Sequence, residues 1–136
     1  MNDDTLQSIR ARIDGIDDRI LALINERASA AAEVAHAKQS AGESSDYYRP
    51  AREAEVLRRI RDVNAGPLTD ADATRLFREI MSACLALQRP LMVAFLGPEG
   101  TFTQEAALKH FGHAIESSPL DNIDAVFREV ESGEAA

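Results

Sequence analysis

The 136-residue chain has a single cysteine, Cys84, so it forms no internal disulfide, and a lone thiol fits a reducing compartment. It has no run near the roughly 20 apolar residues that a bilayer-spanning helix needs. Its start, MNDDTLQSIRARID, is acidic and then amphipathic, and lacks the basic stretch and apolar core of a secretion signal. A cytoplasmic chain without membrane contact is the expectation. Clustered Lys/Arg blocks are missing, which argues against a nucleic-acid partner. His36, His110 and His113 show no ligand spacing with cysteine or acidic residues, so no metal is expected. A serine triad, a phosphate loop and a dinucleotide fingerprint are missing too, so the sequence calls for no cofactor.

What remains is ordinary globular material, 45% apolar and 28% charged. The length allows one domain, or one small domain and part of another. The net charge of −8 is unevenly spread: residues 1–90 contribute −2 and residues 91–136 contribute −6. A local cationic site is therefore possible in the first 90 residues despite the acidic total.

Leu6, Ile9, Ile13, Ile16, Ile20, Leu23, Ala30, Val34 and Ala37 recur at 3-4 spacing, and the remainder is rich in Ala, Arg, Glu and Leu. The pattern predicts a helix over about 5–39, ~50 Å long. Such a seam is too long for a 90-residue chain to cover, which predicts a second chain in an intertwined or antiparallel dimer. Residues 40–48 read as a loop. Pro50 sits well in the first turn of a second helix over about 50–64, which stops at Asn64-Ala65-Gly66-Pro67. Thr69 caps a third helix whose apolar face is Ala73, Leu76, Phe77, Ile80, Met81, Cys84 and Leu87, ended by Pro90. Residues 1–90 are thus expected to be an all-α domain of three helices, long, short and medium. Residues 91–136 read differently: a strand over 91–96, a turn at 97–100, a helix over 103–111, a strand near 114–117 and a helix near 121–132. With at most two strands, this second region is expected to be an incomplete α/β fragment.

Arg27 occupies an apolar step of the first helix, between Leu23 and Ala30/Ala31. Lys38 is 11 residues on, about 20° away in azimuth and ~16 Å along the axis, so the two long side chains can hold one small anion. Alternatively each lies along the surface beside Glu26 or Glu33. Arg10 is about 25 Å from Arg27 and rotated by about 100°, so it can join the same ligand only from another subunit. Otherwise it is a surface arginine. Arg52 and Glu53 open the second helix, where dipole complementation and a local ion pair are the plain alternative. Gln88 extends the third helix's apolar stripe, as a positioned donor or as part of a fraying end. Cys84 reads as a small core residue. Gly97-Pro98-Glu99-Gly100-Thr101 precedes a helix and offers backbone N–H groups to an anion, a weak pattern by itself.

The runs IRARIDGIDDRILALINERASAAAEVAHAK, YYRPAREAEVLRRI and TRLFREIMSACLALQRPLMVAFLGPEGTFTQEAALKHFG resemble the bifunctional chorismate mutase–prephenate dehydratases. The mutase resemblance covers about 5–90, and the dehydratase resemblance covers 92–136, only the beginning of that domain. The resemblance implies an intertwined homodimer that converts chorismate to prephenate in phenylalanine and tyrosine biosynthesis. It implies that Arg27 holds a substrate carboxylate and that Arg10 of the partner chain helps. Lys38 and Gln88 would donate to the ether oxygen, and Glu53 would meet the ring hydroxyl. Arg52 would support the charge network and Cys84 would touch a carboxylate. Arg49 stands where many relatives have an acid, and Cys84 where some have serine. Two other readings share the helical scaffold: a non-catalytic dimerisation module, and an isochorismate pyruvate lyase. Dehydratase activity is not expected from so short a part of that domain.

Overall fold

The structure is a computed structural model that describes residues 2–42, 48–88 and 91–136. Helix α1 spans Asp3–Ser40. Its N-terminus is fixed by Asn2, whose side chain accepts the Thr5 N–H at 2.9 Å, and Asp3 and Asp4 lie in the positive end of the dipole. Gly15 does not interrupt it. Helix α2 covers Pro50–Val63 with Pro50 in its first turn, and α3 covers Asp70–Gln88. Asn64 ends α2 and closes the connection, donating to the Leu68 carbonyl at 2.9 Å and to the Asp70 carboxylate at 2.8 Å. Thr69 caps α3 as its position predicts, its hydroxyl accepting the Asp72 N–H at 3.1 Å. Of the expected loop over 40–48, Ser40 still belongs to α1, and residues 43–47, like the stop at Pro90, lie outside the described residues.

Helix α3 is the hub, packing on α1, on α2 and on a later helix. Its buried residues are Ala73, Met81, Ser82 and Cys84. Two members of its expected apolar face are not covered: Leu76 is 50% exposed and Leu87 72% exposed. The register of α1 also needs correction. The face half-buried against its neighbours is Ile24, Arg27, Ala28, Ala31, Ala35 and Lys38, one step round from the expected Leu23, Ala30, Val34 and Ala37. Alanines at 28, 31 and 35 permit close approach of α3, which bulkier residues at those steps would prevent. Leu23 and Val34 stay on the open side, as do Ile13, Ile16 and Ile20. No residue of α1 is buried.

The remaining chain forms a parallel β-α-β unit and one more helix. Strand β1, Met92–Leu96, leads to α4, Phe102–Phe111, then to β2, Glu116–Leu120, and α5, Ile123–Glu131. The strands pair in register from Met92↔Glu116 to Leu96↔Leu120. Strand β2 lies later than the expected 114–117 because Pro119 does not end it. Glu116 donates its N–H to the Leu91 carbonyl, so alternation turns the N–H position of residue 119 away from β1, where proline costs no ladder bond. Leu91, Val93 and Phe95 are buried, the core of this part. On the other edge of β1, Ala136 donates to the Met92 carbonyl at 2.7 Å and accepts the Ala94 N–H at 3.0 Å. Among the described residues no helix is long and apolar enough to cross a membrane.

The two parts meet on the outer side of α3. The Glu79 carboxylate accepts the His113 N–H at 3.1 Å and contacts its ring Nδ1 at 2.6 Å. Burial alone would push the Glu79 carboxyl up, but these bonds and the charge of His113 outweigh it and hold the carboxyl below its usual range. The Ser82 hydroxyl accepts the Ala114 N–H at 3.2 Å. Gly112 allows this approach. It is buried with φ +83°, and a methyl group there would collide with the Ser82 side chain and lie 3.3 Å from the Arg78 carbonyl. Gly112→Ala is expected to destabilise the chain by about 2 kcal/mol or more, from a left-handed backbone and a steric clash together. Thermal unfolding of the variant beside the wild type checks this, and an unchanged midpoint contradicts the packing described.

Candidate active site

Helix α3 packs on both α1 and α2, and each of the three helices carries expected polar side chains. From α1 come Arg27 and Lys38, both half-buried on the face that packs against the rest of the chain. From the end of α3 comes Gln88, whose Nε2 donates to the Ala31 carbonyl at 3.1 Å. Ala31 lies one turn after Arg27 and two turns before Lys38, so this bond sets the carboxamide between the two cations along α1. The alternative of a fraying helix end is thereby excluded, since Gln88 is tied 57 residues back along the chain. A carboxamide carries two N–H hydrogens, and one such bond fixes the direction of the other.

From the first turn of α2 comes Glu53, half-buried. Burial pushes its carboxyl above the ordinary carboxylate range, while the positive charges of Arg27 and Arg78 pull it down. Burial, with the charge of Glu53 adding to it, also pushes the hydroxyl of Tyr48 up. Tyr48 packs against Phe111 of α4, ring centroids 5.7 Å apart. The surface alternative for Arg27 and Lys38 is not what forms: among the described residues neither is within ion-pairing reach of Glu26 or Glu33.

Of the other expected site residues, Arg10 and Arg52 are exposed in the single chain and Cys84 is buried. Arg10 is exposed on the far half of α1. Arg52 points to solvent and pairs with Glu55 at 3.3 Å, a local contact of the kind its position allows. Cys84 is 3% exposed in the core of α3. Its thiol presents no open surface within the single chain, and it lies one turn before Gln88 on α3. Sequence reasoning missed Arg78 and Tyr48. The available signal for Arg78 was a cation between Phe77 and Met81 on the packed side of a helix whose other arginine, Arg75, is exposed. The Gly97–Thr101 turn offers less to an anion than its composition suggests, since the Gly100 N–H is already bonded to Gln104 Oε1 at 2.6 Å.

The described residues set Gln88 between Arg27 and Lys38 along α1, and the charges of Arg27 and Arg78 act on Glu53. This arrangement suits a small polyanion whose reaction needs holding and charge stabilisation.

Residues 9–89 match the family model described as chorismate mutase type II, and residues 93–136 match that described as prephenate dehydratase. A bifunctional chorismate mutase/prephenate dehydratase of Stutzerimonas stutzeri is 57% identical over 133 residues, covering 96% of this chain. Its Pseudomonas aeruginosa counterpart is 56% identical over the same length. The chain spans 36% of the length of either relative. Two solved forms of the chorismate mutase of Thermus thermophilus superpose with TM-scores of 0.55 and 0.58 at 31% and 32% identity. They cover 59% and 62% of this chain and 98% and 96% of their own.

Burial of Glu53 has a consequence for stability. Its folded carboxyl titrates above the unfolded one, so its favourable contribution is present when protonated and lost as pH rises through the folded value. Glu53→Gln is therefore expected to raise the melting temperature at neutral pH, with the gain disappearing below the ordinary carboxylate range. Melting curves of both proteins across that pH range test it, and a variant less stable at neutral pH contradicts it.

Proposed function

Because this chain belongs to the chorismate mutase type II family, we propose that its helical part, residues 1–90, converts chorismate to prephenate. In this rearrangement the ether C–O bond breaks as a new C–C bond forms, with no covalent enzyme intermediate. The catalyst must fold a flexible dianion into a compact, reactive geometry and stabilise the negative charge that gathers on the ether oxygen. Arg27 holds one carboxylate. Lys38 and Gln88 donate to the ether oxygen, and Glu53 accepts from the ring hydroxyl. Arg52 contributes charge at the rim, and Cys84 packs behind the site. The observation that carries this reading is the Gln88–Ala31 bond, which supports a neutral donor set between the two cations of α1. A rate gain near 10⁶ would require about 8 kcal/mol from positioning and charge stabilisation together.

The proposed working form is a homodimer in which Arg10 reaches the partner's site. Two features support it: the open apolar side of α1, and the roughly 25 Å along the helix that separates Arg10 from Arg27 within one chain. The proposed setting is the cytoplasm, in the route to phenylalanine and tyrosine. Residues 91–136 are read as the start of a dehydratase domain, and no dehydratase activity is assigned to them. A match to prephenate dehydratase directly after the helices favours the mutase over an isochorismate pyruvate lyase.

The test is the loss of chorismate absorbance on adding the protein, with prephenate as product. Lys38→Ala is expected to lower turnover by about 10²–10³, the usual effect of losing one donor to developing oxyanion charge. Wild-type turnover in that variant contradicts the assigned role. Absence of turnover in the wild type leaves the dimerisation module as the better account.

A further inference from the structure

Helix α2 starts without the local fixings that start α1 and α3. Among the described residues its N-cap, Arg49, makes no side-chain cap hydrogen bond, whereas Asn2 and Thr69 each accept a backbone N–H. Pro50, Ala51 and Arg52 of the first turn are exposed, and Arg52 pairs within the helix, with Glu55. The half-buried apolar side of α2 begins at Val56. A helix entry is often fixed by an apolar pair between the residue before the cap and the fourth helical residue. Here those positions hold Tyr48 and Glu53, so α2 itself offers Tyr48 no apolar partner there. Tyr48 finds one in Phe111, at the end of α4, with ring centroids 5.7 Å apart and planes tilted by 55°, a geometry that aromatic pairs favour. The three residues after Phe111 are fastened to α3. Gly112 lies against the Ser82 side chain and the Arg78 carbonyl, His113 is bonded to Glu79 through its N–H and its ring, and the Ala114 N–H donates to the Ser82 hydroxyl. Four consecutive residues thus tie the segment entering α2 to the middle of α3.

We propose that Phe111, held on α3 by residues 112–114, is a positioning residue for the mutase site: by packing on Tyr48 it fixes the first turn of α2 and with it the Glu53 carboxylate. The inference rests on the mutase reading for the role of Glu53, and on the ring contact and the α3 bonds for its geometry. The first backbone bond of α2 runs from the Glu53 N–H to the Arg49 carbonyl at 3.1 Å, directly after Tyr48 and Arg49. Whatever holds Tyr48 therefore holds the turn that presents Glu53. Residues matching prephenate dehydratase would then support the mutase site without touching its substrate. A carboxylate that accepts from the substrate hydroxyl does so before and during the rearrangement. Loosening its turn therefore weakens binding of both states, which raises KM and leaves kcat nearly unchanged. A variant that merely loses folded protein does the reverse, lowering apparent kcat at constant KM.

The test uses the full chain as wild type, Phe111→Ala, Phe111→Tyr and Tyr48→Leu. Phe111→Tyr keeps the ring, and Tyr48→Leu removes the same contact from the other side, so that the result does not hang on the folding of one variant. The first readout is amide hydrogen exchange by NMR without substrate. Exchange of the Glu53 N–H is expected to quicken about tenfold in Phe111→Ala and Tyr48→Leu, the scale of one lost aromatic pair. The Asn64 N–H, which closes the far end of α2 on the Ile60 carbonyl, is expected to stay as in the wild type, and Phe111→Tyr is expected to restore Glu53. The second readout is kinetic. KM for chorismate is expected to rise several-fold, by about the same factor as the exchange rate at most, with kcat nearly unchanged. In a Glu53→Ala background Phe111→Ala is expected to add nothing to KM. An unmoved Glu53 exchange in either folded variant overturns the proposal, as does an equal change at Asn64. So does an unaltered KM, or a full further rise in the Glu53→Ala background. Absence of turnover in the wild type overturns the mutase reading instead, and the exchange at Glu53 still decides whether Phe111 holds the first turn of α2.

Discussion

Helix α1 runs for 38 residues without burying one side chain in its own chain, and the rest of the molecule is arranged about that deficit. An isolated helix of this length is held mainly by what it packs against, because intrinsic propensity contributes only tenths of a kcal/mol per residue. One side of its second half finds α3 through Ile24, Ala28, Ala31 and Ala35. The other side, with Ile13, Ile16, Ile20, Leu23 and Val34, has no cover from the described residues. A second copy of the same helix is the proposed cover. It would also return Arg10 to the site from which its own position on α1 excludes it.

The site depends on the same packing. Arg27 and Lys38 are half-buried because the alanines between them bring α3 close, and that approach lets Gln88 reach the Ala31 carbonyl. Glu53 enters from α2, which packs on α3, and burial pushes its carboxyl up more than the charges of Arg27 and Arg78 pull it down. Helix α3 therefore serves both halves of the chain. Its last turn carries Gln88, bonded back to α1, and Glu79 and Ser82 anchor the turn leading from α4 to β2. A change at Gly112 would strain the same helical turn that carries Arg78.

Much of this was readable in the residues because local chemistry decides it. Asn64, Pro50 and Thr69 mark helix ends by donor and acceptor rules that need no distant partner. The 3-4 spacing gave α1 its length, and the Leu91–Leu96 run gave the buried strand. What was not readable depends on contacts between elements. Leu23 and Ile24 are neighbours in the chain, and only the approach of α3 selects Ile24. Leu76 and Leu87 fit an apolar stripe, but none of the described residues covers them. The reach of β2 to Leu120, through Pro119, depends on its register with β1. Arg78 looks like any surface arginine in sequence, and its partial burial follows only from how α3 packs. The resemblance supplied roles for Arg10 and Arg52, which are exposed in the single chain, and for Cys84, which is buried one turn before Gln88.

The central claim is that one chain holds an incomplete site and a second chain completes it. The most direct measurement is turnover per chain as a function of protein concentration, with sedimentation of the same samples to report the oligomer present. The account predicts a dimer at high concentration, and turnover per chain that falls in step with dissociation on dilution. A monomer with undiminished turnover per chain would contradict it.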